Sequence, residues 1–272
     1  MTDLLPSDLA AALSKAPARF GAFSRVIYRA DIGSTNDVAL EMATGGEPEG
    51  TVVLADAQHA GRGRRGREWF SPSGAGVYLS AIVRPRGAAG SVPMLTIAAG
   101  VAAARAVRSA AALPIELKWP NDLVIGRPWR KLGGVLCETA GPGSRIDAVV
   151  VGIGINLLET SYPREIAVRA TSIETELGRR IERAPVVAAL LESLAAVVAD
   201  FHAARLREIC AAWRGFAGPS LGGAAVRWID RTVERRGRAR DIDGDGALLV
   251  ETDGRLERLV AGEVTWEGLS RE

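Results

Sequence analysis

Histidine and cysteine are scarce in this chain, with two of each in 272 residues. Cys137 and Cys210 are far apart, and neither stands at metal-ligand spacing to the other or to His59 and His202. That pattern argues against a zinc-type site and a disulfide framework, and both cysteines are expected to be reduced, buried thiols. No GxSxG elbow and no P-loop pattern occurs, so serine-hydrolase and P-loop chemistry have no support. The amino terminus, MTDLLPSDLAAALSKAPARF, carries an early acidic residue and lacks the basic start and apolar run that export requires. Apolar runs such as 98–104 are too short to cross a bilayer, and a cytoplasmic protein without membrane contact is expected. A net charge of +2 gives no overall field that would call for a polyanion partner.

What is present is enough for one sizeable core and a small appended domain, since 47% of the residues are apolar. Residues 1–24 carry one short helix with Leu9, Ala12 and Leu13 on a face, then turns at Pro17 and Gly21. A helix-turn-helix reader needs more chain than that, so no specific DNA binding is expected. From 25 to 217 strand-like and helix-like segments alternate: strands over 26–32, 51–55, 77–83, 115–119, 132–138 and 146–155, helices over 36–43 and 94–112, and one or two helices over 185–216. In the last of these Val187, Leu190, Leu191, Leu194 and Val198 recur at core-facing spacing. The alternation predicts α/β or α+β layering, read here as an α+β domain with one mixed sheet and helices packed on it. Residues 218–272 differ in texture. Short strands over 225–228, 235–242, 247–251 and 256–260 are separated by DGDG at 243–246 and DG at 253–254, as a small antiparallel barrel requires.

The strongest local signal is GRGRRGR at 61–67, followed by Trp69, Phe70, Ser71 and Pro72. Glycines free the backbone and expose its amides, while guanidinium groups stay charged, so the loop suits a ligand with several negative charges. Alone it reads equally as a solvated basic loop or a nucleic-acid arm. Ser34, Thr35 and Asn36 stand between a strand and a helix, where Ser34 reads most simply as an N-cap. KWPND at 118–122 reads alone as a turn ending a strand. In KLGGVLCE (131–138) a lysine opens a strand, and Gly133 and Gly134 indicate a bulge or the close approach of a ligand or another backbone. In VGIGINL (151–157), Gly152 and Gly154 open space beside a strand that Asn156 ends, and the GxG is too short for a dinucleotide fingerprint.

Taken in order, STND, QHAGRGRRGREWFSP, KWPND, KLGGVLCE, VGIGIN and a terminal AGEVTW resemble biotin protein ligase, also called biotin–acetyl-CoA-carboxylase ligase. The resemblance covers nearly everything from Arg25 onward. It implies a catalytic domain of the class II aminoacyl-tRNA synthetase-like type with an SH3-like carboxy-terminal barrel. It also implies use of biotin, ATP and Mg2+, and transfer of biotin to a lysine of a biotin carboxyl carrier domain. By the same resemblance Ser34, Thr35, Asn36 and Gln58 read the ureido ring, and Gly61, Arg62 and Arg64 contact the biotin tail and acyl phosphate. Lys131, with Gly134 beside it, borders the reacting carboxylate. Arg67, Trp69, Lys118, Asn121, Gly154 and Asn156 lie on the nucleotide side, Asp122 helps hold the metal, and Lys131, Arg64 and Lys118 carry catalysis. The flap is expected to be mobile when empty. Gly133 stands where many relatives carry alanine, which gives it no mechanistic weight. The chain is expected as a monomer or homodimer. A nucleic-acid-binding module and a lipoyl or octanoyl transferase are the rival readings; the transferase lacks the pairing of GRGRRGR with KWPND.

Overall fold

The computed structural model describes residues 3–85, 92–143, 145–160 and 162–270, so Met1 and Thr2 of the amino-terminal segment lie outside it. Helix α1 (Ser7–Ser14) buries Leu9, and 3₁₀ turns over Pro17–Ser24 follow, with Gly21 in the left-handed region at φ +51°. Next come β1 (Arg25–Ile32), α2 (Thr35–Thr44), β2 (Thr51–Gln58), β3 (Gly76–Val83), α3 (Val92–Ala111), β4 (Glu116–Lys118), β5 (Asp122–Ile125), β6 (Arg130–Ala140) and β7 (Ala148–Asn156). They make one mixed sheet in the order β1-β2-β3-β7-β6-β5-β4, with β1 parallel to β2 and the other neighbours antiparallel. The strand β5 was not expected: at four residues it is too short to show a period.

The strand alternation divides this sheet into two unlike faces. Val77, Leu79, Ala81 and Val83 of β3, with Val149, Val151, Ile153 and Ile155 of β7, enter the main core with α3, α6 (Arg183–His202) and α7 (Leu206–Ala217). Each such Val, Leu or Ile contributes about 1.5–3 kcal/mol on burial. The opposite face packs Val53, Ile82, Val150, Ala140 and Ala148 against Ala39 and Ala43 of α2, a smaller cluster over one end of the sheet. At the other end that face carries Gly134, Gly152 and Gly154, and there it is open.

Among the described residues two helices, α3 and α6, are long and apolar enough to cross a membrane, which the shorter apolar runs of the sequence did not suggest. Their apolar length has another use here. Thirteen residues of α3 are buried, as are Val187, Leu190, Leu191, Leu194 and Val198 of α6. The segment expected as one or two helices is two, broken at 203–205, and the short helices α4 (Arg164–Ala167) and α5 (Ile173–Leu177) lie in a stretch where none was expected.

After a 3₁₀ turn at Gly218–Ser220, β8 (Ala224–Asp230), β9 (Val233–Ile242), β10 (Leu248–Thr252), β11 (Arg255–Leu259) and β12 (Val264–Trp266) pair antiparallel in the order β11-β10-β9-β8-β12. The two aspartate-glycine segments make turns: Asp243 accepts from the amides of Asp245 (2.9 Å) and Ala247 (3.0 Å), and Gly254 adopts φ +74°. This sheet docks through tryptophans. Trp119 Nε1 donates to Gly246 O (2.9 Å), Trp266 Nε1 to Ser220 O (2.7 Å), and the Trp129 and Trp266 rings lie 6.1 Å apart.

Gly133, without mechanistic weight in the sequence, has a packing reason in the structure. A Cβ there would stand 2.7 Å from the Gly154 carbonyl oxygen on β7, which belongs to the backbone and cannot swing aside. Gly133→Ala should therefore cost about 1–3 kcal/mol, the range for overpacking. Urea unfolding monitored by tryptophan fluorescence checks this, with an earlier midpoint expected at unchanged slope.

Candidate active site

The open end of the sheet face forms a cavity of about 540 Å³. Around it stand Ser34, Thr35, Asn36 and Gln58; Arg62, Arg64, Arg67 and Trp69 of the arginine-glycine segment; Lys118, Asn121 and Asp122; and Lys131, Gly134, Gly154 and Asn156. One expected member is missing. Gly61 is buried outside the lining, where a Cβ would stand 2.5 Å from Trp69 O and 2.8 Å from Ser71 Oγ. Its smallness lets the flap's two arms close on each other, a packing reason for glycine at this position.

One end of the cavity is polar but neutral. Ser34 does not cap α2 as expected, because its side chain makes no cap bond. Instead the α2 amide of Thr35 donates to Gln58 Oε1 (2.7 Å), which also accepts from Thr35 Oγ1 (3.0 Å). Gln58 Nε2 donates to Ser71 Oγ (2.9 Å). Ser80, on β3, lies 2.7 Å from Thr35 Oγ1 and 2.6 Å from Asn36 Oδ1, and Asn36 Nδ2 donates to Glu138 Oε2 (2.7 Å). Sequence reading missed Ser80, whose signal was a lone hydroxyl inside the apolar run VYLSAIV. Hydroxyls and amides in this density suit a neutral, planar ligand with both donors and acceptors.

The other end is cationic, and a β-bulge builds it. β5 and β6 pair as Asp122↔Gly134 and Leu123↔Gly133, then the register slips so that Val124 faces Lys131. A regular ladder would place Lys131 on the core side. The extra residue turns it to the side of Asp122 and Gly134, as bulges commonly do near active sites. Backbone bonds hold it there: Lys131 N donates to Arg169 O (2.6 Å) and Lys131 O accepts from Thr171 N (2.9 Å). Lys131 Nζ is then 2.5 Å from Asp122 Oδ1 and 5.4 Å from the Trp69 ring centroid.

Lys118 pairs with Asp122 across the β4–β5 turn, its ammonium 5.7 Å from the Trp266 ring centroid. Arg64 donates to Asn121 Oδ1 (3.3 Å), and Asn121 is fixed by donating to Val135 O (2.8 Å). KWPND is therefore a turn, as expected, but one that aims two charged side chains at one cavity. Burial pushes the Asp122 carboxyl up, yet Lys131, Lys118 and Arg64 outweigh it and hold the group below the usual carboxylate range. Burial draws the Lys118 ammonium and the Arg64 guanidinium below their ordinary values, with Asp122 opposing in both cases. Three cations thus converge on one carboxylate, and the arrangement is primed for an anion.

The flap itself is a narrow hairpin. Gly63 N donates to Arg67 O (2.7 Å), Trp69 N to Gly61 O (2.8 Å), and the tip takes left-handed turns at Arg65 and Gly66. Arg67 bonds to Glu263 of the terminal sheet (2.6 Å), so both domains border the cavity. Glu263 sits in the AGEVTW segment but was not singled out. The indole of Trp69 lies where a Gly154 Cβ would be, and the Asn36 amide where a Gly152 Cβ would be, so the space these glycines open is filled by side chains. Asn156 Nδ2 donates to Thr171 O (2.9 Å), tying β7 to the segment that holds Lys131. Tyr162, Ile166, Arg169 and Ala170 also line the cavity, from a stretch without any motif.

Among the described residues no group of three His, Cys, Asp or Glu could hold a metal ion. The carboxylates on the cavity wall are Glu68, Asp122 and Glu263. Magnesium in phosphate sites keeps its waters and takes one or two carboxylates, so these residues fit an ion that arrives on a nucleotide. The thiols of Cys137 and Cys210 are free, Cys137 partly and Cys210 fully buried.

Residues 28–156 match the model of the biotin/lipoate A/B protein ligase family, and residues 223–265 match the biotin protein ligase C terminal domain. The bifunctional ligase/repressor BirA of Bacillus subtilis is 34% identical over 259 residues, covering 93% of this chain and 78% of that protein. The biotin–[acetyl-CoA-carboxylase] ligase of Mycobacterium tuberculosis is 35% identical over 245 residues, 86% of each. Among solved structures, a biotin protein ligase from Aquifex aeolicus in complex with biotin and ATP superposes with a TM-score of 0.78 at 27% identity, covering 89% of this chain and 98% of that one.

A buried ammonium destabilises the fold while it stays charged, and the penalty fades as pH rises through its lowered pKa toward the unfolded value of about 10.4. Lys118→Met should therefore leave stability equal or raise it by up to about 1 kcal/mol at pH 7, with a smaller gain near pH 10. Thermal melts at the two pH values check both the sign and the trend.

Proposed function

Since the chain belongs to the biotin protein ligase family, we propose that its cavity joins biotin to ATP and passes the biotinyl group to a lysine of a carrier domain of the acetyl-CoA carboxylase type. The observation that carries this reading is the pairing of a neutral polar end with a cationic end in one cavity. In the first step a biotin carboxylate oxygen attacks the α-phosphorus, forming biotinyl-5′-AMP as the bond to pyrophosphate breaks. Carboxylate and phosphate repel each other, and pre-placed cations offset that repulsion with little reorganisation. In the second step the carrier amine, having lost its proton, attacks the acyl carbon and AMP leaves.

The roles proposed are those that the motifs imply by resemblance. Ser34, Thr35 and Gln58 face the ureido ring, with Asn36 held between Ser80 and Glu138 beside them. Lys131, released from Asp122 by the incoming anion, stabilises the charge that passes between carboxylate and α-phosphate. Lys118 and Arg64 face the phosphates, Arg67 the pyrophosphate side, and Trp69 the adenine, with Asn121, Gly154 and Asn156 shaping that wall. Magnesium carried on the phosphates would be held by Asp122 and would spread charge over the leaving pyrophosphate. Free cysteines support a cytoplasmic setting. We propose ligation without operator binding, since the arginines of the GRGRRGR segment that could serve as a nucleic-acid arm line the cavity instead.

Purified protein with biotin and Mg-ATP should release pyrophosphate and label a biotin carrier domain. Lys131→Ala should lower adenylate formation by at least about 10²-fold, the order for one strong transition-state donor; an unchanged rate removes the proposed role. An electrophoretic assay at physiological salt should show no specific DNA shift, and a shift abolished by Arg62→Ala with Arg64→Ala would favour the nucleic-acid reading.

A further inference from the structure

Arg62 stands on the first arm of the flap, but its guanidinium is already engaged away from the lysines. Nη1 is 2.6 Å from Asp37 Oδ1 on the first turn of α2, and Nη2 donates to Glu138 Oε2 on β6 (2.9 Å). The same Glu138 oxygen accepts from Asn36 Nδ2, and Asn36 contacts Ser80 through its other amide atom. One carboxylate oxygen therefore joins the flap to the floor of the neutral end. Glu138 is not among the residues that line the cavity.

From this geometry we infer that Glu138, with Asp37, is a positioning residue that latches the flap through Arg62, and that its function is to retain the acyl-adenylate until the carrier arrives. The inference rests on the ligase reading above and deepens it. Two consequences separate the latch from a catalytic role. The three cations around Asp122 are untouched by its loss, so adenylate formation continues. The flap, with one tie removed, opens more often, so the mixed anhydride escapes and acylates any accessible amine.

The size of the effect follows from exposure. The Arg62, Asp37 and Glu138 side chains are 38%, 50% and 31% exposed, and each partly solvated ion pair is worth little. A loss of roughly twofold to fivefold in retention is expected on removing Glu138, shrinking at high salt as screening weakens the wild-type latch. Glu138→Gln keeps size and one acceptor for Asn36 while removing the charge that Arg62 needs.

The test measures two rates on the intact protein: pyrophosphate release with biotin and Mg-ATP, and release of preformed biotinyl-5′-AMP, alongside untargeted labelling of serum albumin lysines. In Glu138→Gln, initial adenylate formation should stay at the wild-type rate while adenylate release and albumin labelling rise roughly twofold to fivefold. Asp37→Asn should do the same through the other tie to Arg62, and added salt should raise wild-type release toward that of either variant while moving the variants less. Unchanged release in Glu138→Gln, or a salt response as large in the variants as in wild type, would overturn the latch. If wild-type protein makes no adenylate, the ligase reading itself fails, which is a different result.

Discussion

Gathering positive charge in a half-closed cavity is the constraint from which the rest of this structure follows. Lys118, Lys131 and Arg64 repel one another, and burial further penalises their charged forms. A single carboxylate, Asp122, makes the cluster tolerable, and the three cations in turn keep that carboxylate ionised despite its burial. A protein selected for stability alone would place apolar groups there, since buried ion clusters seldom outperform them. What the cluster supplies instead is a site already polarised for two anions that must meet.

The fold serves that cluster in a traceable way. The β4–β5 turn delivers Lys118 and Asp122 from neighbouring positions on one face, and the bulge in β6 rotates Lys131 onto it. Gly152 and Gly154 on β7 keep the sheet surface low enough for the amide of Asn36 and the indole of Trp69 to lie against it. The heavy core of α3, α6 and α7 on the far face holds the sheet rigid, and the tryptophans that dock the terminal sheet bring Glu263 to the flap. Chemistry stands on strands and tight turns, and the one long irregular wall, around Tyr162 and Arg169, is fastened to Lys131 by backbone bonds.

Much of this was legible in the sequence, and the parts that were not share a cause. Strongly periodic segments such as 77–83 and the helices after Pro93 and Pro185 declared themselves, and the ordered motifs pointed to every cavity-lining residue that was named apart from Gly61. Gly133 and Gly134 signalled a bulge or a close approach, but not that Lys131 would be the residue turned inward, because that depends on the pairing of Lys131 with the 169–171 segment. Glu138 and Asp37 were invisible for a related reason: each is an ordinary acidic residue until folding brings Arg62 across from a loop many residues distant. Ser34 misled because an N-cap reading weighs local bonds only, and Gln58, twenty-odd residues on, takes that role.

The central claim is that one cavity holds both the acid and the nucleotide side by side, so that each half of a joined ligand excludes one partner. Competitive calorimetry tests it most directly: the protein is saturated with a non-hydrolysable biotinyl-adenylate analogue and titrated separately with biotin and with a non-hydrolysable ATP analogue. The account predicts no binding heat from either ligand at one analogue per chain. Undiminished binding of either one would place acid and nucleotide in separate sites and contradict it.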